Sequence, residues 1–318
     1  MSLNGNTFLL CALCLATAMA SPDVTVFFPQ ISGNLTQITW AHAVNNQSYL
    51  TSTLNDSSIM MIEADIVLGT INGTNSTEQI PVMGHPPANT SDISLATFLD
   101  TINTFNTNLT NSTNSTATRK GVKLDFKTIE VFNQSISIVK QYDQGDYPLW
   151  LNADILSGPI NATTEPVDAA QFLASASQFN YTVLSIGWTT EYGANMTGSY
   201  NDSQVTSMLN AISQNNVTHN ITFPVRAGLA AESLSQMQNL VANVTNSTLT
   251  LWSSEGDSVN VTNLRTLIGQ IGIRKIFVDV PEDLRSQLRL DTLPSGSEAT
   301  VPAVMVPMLV GLVAFMFR

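Results

Sequence analysis

Two carboxylates, Glu63 and Asp65, lie near the end of an apolar run, Met60-Met61-Ile62-Glu63-Ala64-Asp65-Ile66-Val67-Leu68. On a strand their spacing of two puts both side chains on one face. Two anions held together in apolar surroundings repel each other and lose hydration, unless a cation lies between them. The alternative is a wet rim where each pairs with Lys or Arg. Asp125 and Lys127 repeat the same spacing in Val122-Lys123-Leu124-Asp125-Phe126-Lys127. Glu63, Asp65 and Asp125 would offer hard oxygen ligands, suited to Mg²⁺ or Ca²⁺ rather than to a soft metal.

Two of the three histidines, His42 and His85, fall at the ends of extended segments. Imidazole exchanges protons near neutral pH, so the pair could serve as general base and general acid. Lys127 would present positive charge to an anionic substrate. Together these groups describe a phosphodiester-cleaving site, in which cations offset charge on a five-coordinate phosphorus and the histidines move protons between attacking and leaving oxygens. Taken singly, either histidine reads equally as a hydrogen-bonded structural residue, and Asp125 with Lys127 as a rim ion pair. Further polar or aromatic groups at segment ends are candidates for the substrate cleft: Asn45, Asn152, Asp154, Trp188, Arg226 and Trp252. The two tryptophans could instead be core packing.

These residues need a frame that brings distant segments together. Short apolar runs at 37–44, 60–68, 122–127, 149–155, 182–189, 221–227, 248–253 and 275–280 read as strands, with an extra extended piece at 79–84. Helical periodicity appears at 93–105, 129–141, 169–179, 203–213, 231–241 and 261–271. Alternating strands and helices predict an α/β fold with a parallel sheet covered by helices. About eight strands fit a single (β/α)₈ TIM-type barrel, whose chemistry sits at the C-terminal strand ends. An open doubly wound sheet is the competing architecture, but no glycine-rich nucleotide motif supports it.

The 318-residue chain carries a net charge of −12, and only 11% of its residues are charged. That balance excludes nucleic acid as a partner, since phosphate backbones call for basic stripes. Residues 1–20 read as a signal peptide, with an apolar stretch over 8–15 and Ala18-Met19-Ala20 at the cleavage site. Both cysteines, Cys11 and Cys14, fall inside it, so the mature chain would hold no disulfide and no thiolate site. Asn-x-Ser/Thr sequons number about 19, among them Asn34, Asn72, Asn108, Asn111, Asn114, Asn161 and Asn243, and predict a glycoprotein. Residues 294–318, small residues followed by an apolar tail, read as a glycosylphosphatidylinositol (GPI) attachment signal, with a short membrane tail as the rival. The expected product is a barrel domain over 21–293, extracellular at the cell surface, attached to the membrane through its C-terminal lipid anchor.

The order His…Glu-x-Asp…His…Asp-x-Lys resembles the phospholipase C-like phosphodiesterase superfamily, notably its glycerophosphodiester phosphodiesterase and sphingomyelinase D branches. That resemblance implies the phospholipase C-like type of barrel, metal ligands at Glu63, Asp65 and Asp125, acid/base roles for His42 and His85, and a phosphate contact from Lys127. More specifically, residues 39–45 (Thr-Trp-Ala-His-Ala-Val-Asn), Glu63-Ala64-Asp65, Gly84-His85-Pro86-Pro87, 123–127 (Lys-Leu-Asp-Phe-Lys), 150–154 (Trp-Leu-Asn-Ala-Asp) and 185–190 (Ser-Ile-Gly-Trp-Thr-Thr) resemble the menorin family over about 37–290. The family is extracellular or membrane-attached and linked to patterning of neuronal dendrites through cell-surface complexes. Two functions follow as expectations: a Mg²⁺- or Ca²⁺-dependent enzyme cleaving a glycerophosphodiester or phospholipid, or a non-enzymatic protein binding a cell-surface receptor through its rim. Ala43 and Pro86 depart from the Arg and Asp that usually follow the two histidines in glycerophosphodiesterases, so substrate contacts beside both must differ.

Overall fold

The structure, a computed structural model, describes residues 22–112 and 116–294. The signal peptide, Asn114 and the tail signal beyond Pro294 lie outside the described residues.

Ten strands form one sheet: β1 (Trp40–Ala41), β2 (Met61–Ile71), β3 (Ile80–Met83), β4 (Thr90–Ser91), β5 (Gly121–Phe126), β6 (Leu149–Ser157), β7 (Thr182–Thr189), β8 (Ile221–Arg226), β9 (Thr248–Trp252) and β10 (Ile276–Asp279). Eight run parallel in the order β1-β2-β5-β6-β7-β8-β9-β10, a nearly closed TIM-type barrel, while β3 (antiparallel) and β4 extend the long β2 past the rim. The predicted order is borne out. Ten helices cover the barrel: α1 (Val24–Phe27), α2 (Gln47–Asn55), α3 (Leu95–Thr110), α4 (Ile129–Val139), α5 (Ala169–Ala176), α6 (Asp202–Gln214), α7 (Ala227–Ala230), α8 (Leu234–Asn243), α9 (Val261–Ile271) and α10 (Glu282–Leu288).

Three differences from the expected elements have local causes. The first strand shrinks from 37–44 to two residues, because Leu35–Gln37 forms a 3₁₀ turn and Ala43 adopts a left-handed φ of 54°. Helix α2 was not anticipated. It is polar apart from Leu50 and Leu54, and starts at Asn46, whose side chain caps the Tyr49 amide at 2.8 Å. The helix expected over 231–241 is α8, which starts at Leu234; the short α7 precedes it, with Ser233 buried between them, donating to Leu229 O and accepting from the Tyr200 amide.

Inside the barrel, Trp40, Trp150 and Phe277 meet edge to face, with centroids 5.5, 4.9 and 6.3 Å apart. They form a dry floor under the C-terminal end. β1 and β10 are not paired by a ladder. Across this seam Leu35 N donates to Ile273 O at 2.9 Å, and Arg285 reaches from α10 to Val278 O and Thr36 O. The seam is therefore closed by a backbone bond and by side chains, and its uppermost clasp belongs to the site described next.

Candidate active site at the C-terminal barrel mouth

Alternation along neighbouring parallel strands stacks Glu63 and Asp65 of β2 beside Lys123 and Asp125 of β5, which face Trp150 and Asn152 of β6. Lys127 follows β5 directly, and Thr128 then caps α4 by accepting the Val131 amide. Strand, site residue and helix cap are thus consecutive. A cleft of about 640 Å³ opens over these groups, lined among others by His42, His85, Asp154, Thr189, Arg226 and Trp252.

One ligand atom from each of Glu63, Asp65 and Asp125 falls within 4.8 Å of the others. The chemistry of this set, three carboxylate oxygens converging on one point, fits a hard divalent cation. The ion's identity is not set by these groups. Each carboxylate is held from behind. Ala43 N donates to Glu63 Oε2 at 2.8 Å, an angle of approach that the left-handed Ala43 backbone provides. Asn45 and Asp65 clasp reciprocally, at 2.7 Å from Nδ2 to Oδ2 and 2.9 Å from the Asp65 amide to Asn45 Oδ1. Asn152 Nδ2 donates to Asp125 Oδ1 at 2.6 Å, and Ser185 Oγ in turn donates to Asn152 Oδ1. Fixing the ligands by such outer contacts is what metal sites require.

Lys127 Nζ lies 2.6 Å from Asp65 Oδ1 and 2.5 Å from Asp125 Oδ2, so an ammonium bridges two of the three carboxylates. Burial works to lower its pKa, but Asp125, Asp65 and Glu63 together push it well above the usual lysine range. Burial likewise works to raise Asp125, which Lys127 and Lys123 hold below the ordinary carboxylate value. Glu63, with 1% of its surface exposed, is raised by burial against the pull of His42. Asp154 is pushed up to about 7, first by burial and then by Asp125.

His42 Nδ1 lies 3.0 Å from Asp279 Oδ2 and 3.6 Å from Glu63 Oε2, so the contact that closes the β1/β10 seam also orients this ring. Glu63 raises its pKa to about 9 against an opposing burial effect, with Asp279 adding to the rise. His85 stands at the other side of the mouth, exposed, with Nδ1 2.7 Å from Pro86 O. A carbonyl only accepts, so Nδ1 carries the proton and Nε2 is left with its lone pair in the neutral ring.

The remaining sequence candidates divide. Asn152, Asp154, Arg226 and Trp252 line the cleft. Arg226 is not free to meet substrate: it is paired in bidentate fashion with Asp257 at 2.7 and 2.8 Å, donates to Ser254, and stacks 4.3 Å over Trp252. Asn45 is a support for Asp65 rather than part of the wall. Trp188 is a correction: it sits on the opposite face of β7 from Ser185, buried against Tyr200 and Phe223, and belongs to the layer under the helices. Sequence reasoning assigned no role to Lys123, Asp257 or Thr189. For Lys123 the signal was present, since the spacing that joins Asp125 to Lys127 also places Lys123 on their face.

A family model described as the Menorin N-terminal domain matches residues 34–285. Protein FAM151B of Homo sapiens is 31% identical over 250 residues, covering 77% of this chain and 83% of the human protein. Among solved structures, the fold is similar to a glycerophosphoryl diester phosphodiesterase from Parabacteroides distasonis, with a TM-score of 0.46 and 12% identity over 89% of this chain and 97% of that one. The catalytic domain of a hyperthermophilic chitinase from Pyrococcus furiosus matches with a TM-score of 0.44 and 14% identity, over 77% and 83% of the two chains.

Proposed function

The chain belongs to the menorin family, and from that premise we propose that it is a divalent-metal-dependent phosphodiesterase acting on a glycerophosphodiester or phospholipid outside the cell. The observation that carries this reading is the convergence of Glu63, Asp65 and Asp125 within 4.8 Å in a cleft that His42 and His85 also line. Mg²⁺ or Ca²⁺ held by the three carboxylates would supply Lewis-acid charge to the phosphate. His42, charged through neutral pH with Nδ1 held by Asp279, would give a proton from Nε2 to the leaving oxygen. His85, whose Nδ1 is turned to Pro86 O, would take the proton from the attacking hydroxyl on Nε2, whether water or an internal hydroxyl of the substrate. Domain limits of 21–293, secretion and the C-terminal lipid anchor complete the proposal. No helix among the described residues is long and apolar enough to cross a membrane.

The test is hydrolysis of glycerophosphodiesters and phospholipids by the secreted chain with Mg²⁺ or Ca²⁺. His42→Ala should lower turnover about 10²- to 10⁴-fold with secretion unchanged. Equal turnover in that variant would dismiss the reading.

A second reading has its own observation. The Lys127 ammonium between Asp65 and Asp125 pairs with both carboxylates without a metal and offsets one of their two charges. A menorin-family barrel of that kind would act by binding a cell-surface receptor through its rim. Receptor capture that ignores His42→Ala and Glu63→Gln would favour it.

A further inference from the structure

Lys123 is 4% exposed, lines the floor of the cleft, and has no hydrogen bond and no carboxylate oxygen within 4 Å among the described residues. This is unusual, because an ammonium taken out of water without a hydrogen-bond partner loses its hydration uncompensated and native structures seldom leave one so. Its neighbours explain why it stays unpaired. Glu63, level with it on β2, is occupied by the Ala43 amide and His42; Asp125, two residues on, is occupied by Lys127 and Asn152. The level partner on β6 is Trp150, which offers an N–H but no acceptor. Glu63 and Asp125 are thus engaged elsewhere, and Asp154, which feels the Lys123 charge, lies beyond ion-pair distance, so the ammonium faces the cavity.

Lys127, by contrast, spends its charge on Asp65 and Asp125, and Arg226 spends its own on Asp257. Among the described residues lining the cleft, Lys123 is therefore the lysine or arginine whose charge is not used by an ion pair. We propose that Lys123 is the oxyanion-binding residue of this cleft, taking a phosphate-type oxygen at the barrel floor, while Lys127 serves as the internal counter-ion of the carboxylates. The inference rests on the phosphodiesterase reading for its substrate but not for its chemistry: an anion could occupy the floor whether or not it is cleaved. A lysine is suited to the task, since its ammonium is a compact point charge with three donors. The charges agree as well. A bound divalent ion would add two positive charges to this acid-rich cleft and so favour entry of an anion beside Lys123.

The experiment measures binding of inorganic phosphate and of dimethyl phosphate by calorimetry, with and without Mg²⁺, to the wild type, Lys123→Met, Lys123→Arg and Lys127→Met. Loss of one charged hydrogen bond predicts about 10- to 100-fold weaker phosphate binding in Lys123→Met, partial recovery in Lys123→Arg, and Mg²⁺ affinity unchanged or raised. The ligand-free Tm of Lys123→Met is measured alongside, because Lys123 also helps to hold Asp125 ionised. Amine-reactive labelling of the wild type gives a readout independent of any variant's folding, with phosphate expected to protect Lys123. Binding of both anions without Mg²⁺ binding or turnover would remove the phosphodiesterase reading and leave the anion site standing. The proposal falls if neither anion binds the wild type, if Lys127→Met loses phosphate while Lys123→Met keeps it, or if Lys123→Met loses stability and not affinity. That last result would make Lys123 a structural counter-charge.

Discussion

Lys127→Met isolates the most consequential contact in the site. In the absence of metal the ammonium bridges Asp65 and Asp125 at 2.6 and 2.5 Å, with only 20% of its side chain exposed. Methionine keeps the length and apolar stem while deleting the charge, leaving two carboxylates facing each other over a low-dielectric floor. Breaking a buried pair from one side typically costs 3–5 kcal/mol. The contact with cleft water places this one near the lower end, about 3 kcal/mol. For a domain of this size that is a fall in Tm of roughly 6–12 °C. In chelator the variant should unfold earlier by that margin. Adding Mg²⁺ or Ca²⁺ should then stabilise the variant more than the wild type, because the ammonium no longer competes for the same oxygens. At a concentration about 100 times its Kd an ion contributes about 2.7 kcal/mol, enough to return most of the loss. The assay is thermal and urea unfolding in chelator and across a divalent-ion titration. A variant as stable as the wild type in chelator, or one gaining no more from the ion, would refute the argument that Lys127 stands where the cation binds.

Two further outcomes follow from the geometry. His42 has its pKa raised to about 9 in the fold, so its contribution is complete below the unfolded value near 6.5 and is lost as pH rises towards 9. Because half of the side chain faces solvent, screening reduces that contribution to about 1 kcal/mol. Metal-free protein should therefore lose about that much stability between pH 6.5 and 9, and Asp279→Asn, which removes the charge on Nδ1's partner, should flatten the slope; an unchanged slope in urea melts would count against the contact. Gly187→Ala should cost about 2 kcal/mol, since its Cβ would fall 2.8 Å from both Asp154 Oδ1 and the ring of Pro224 and 3.1 Å from Pro224 O. Asp154→Ala in the same chain should recover only part of the loss in denaturant melts, because Pro224 cannot withdraw; full recovery would show that Pro224 does yield.

The alternation of Glu63 with Asp65, and of Lys123 with Asp125 and Lys127, is a property of the chain alone. Period-two spacing puts each group on one face whatever the partner strand, and the apolar runs around them announce buried parallel strands. The barrel order was legible from those runs, and α3, α4, α5 and α6 from their helical periodicity. Helix α2 was not, because nine largely polar residues carry little amphipathic signal and their helix depends on the Asn46 cap. What the chain could not disclose is which charges cancel. Lys127 and Arg226 look like free cations in the sequence, yet Asp65, Asp125 and Asp257 consume them in space. Lys123 looks like a strand lysine and emerges unpaired. His42 and Asp279 stand at opposite ends of the chain and meet only because the last strand closes against the first. Residue type and spacing determined which groups face the barrel interior; register across eight strands decided their pairing, because Coulombic and hydrogen-bond energies depend on separations of a few ångströms that no one-dimensional pattern encodes.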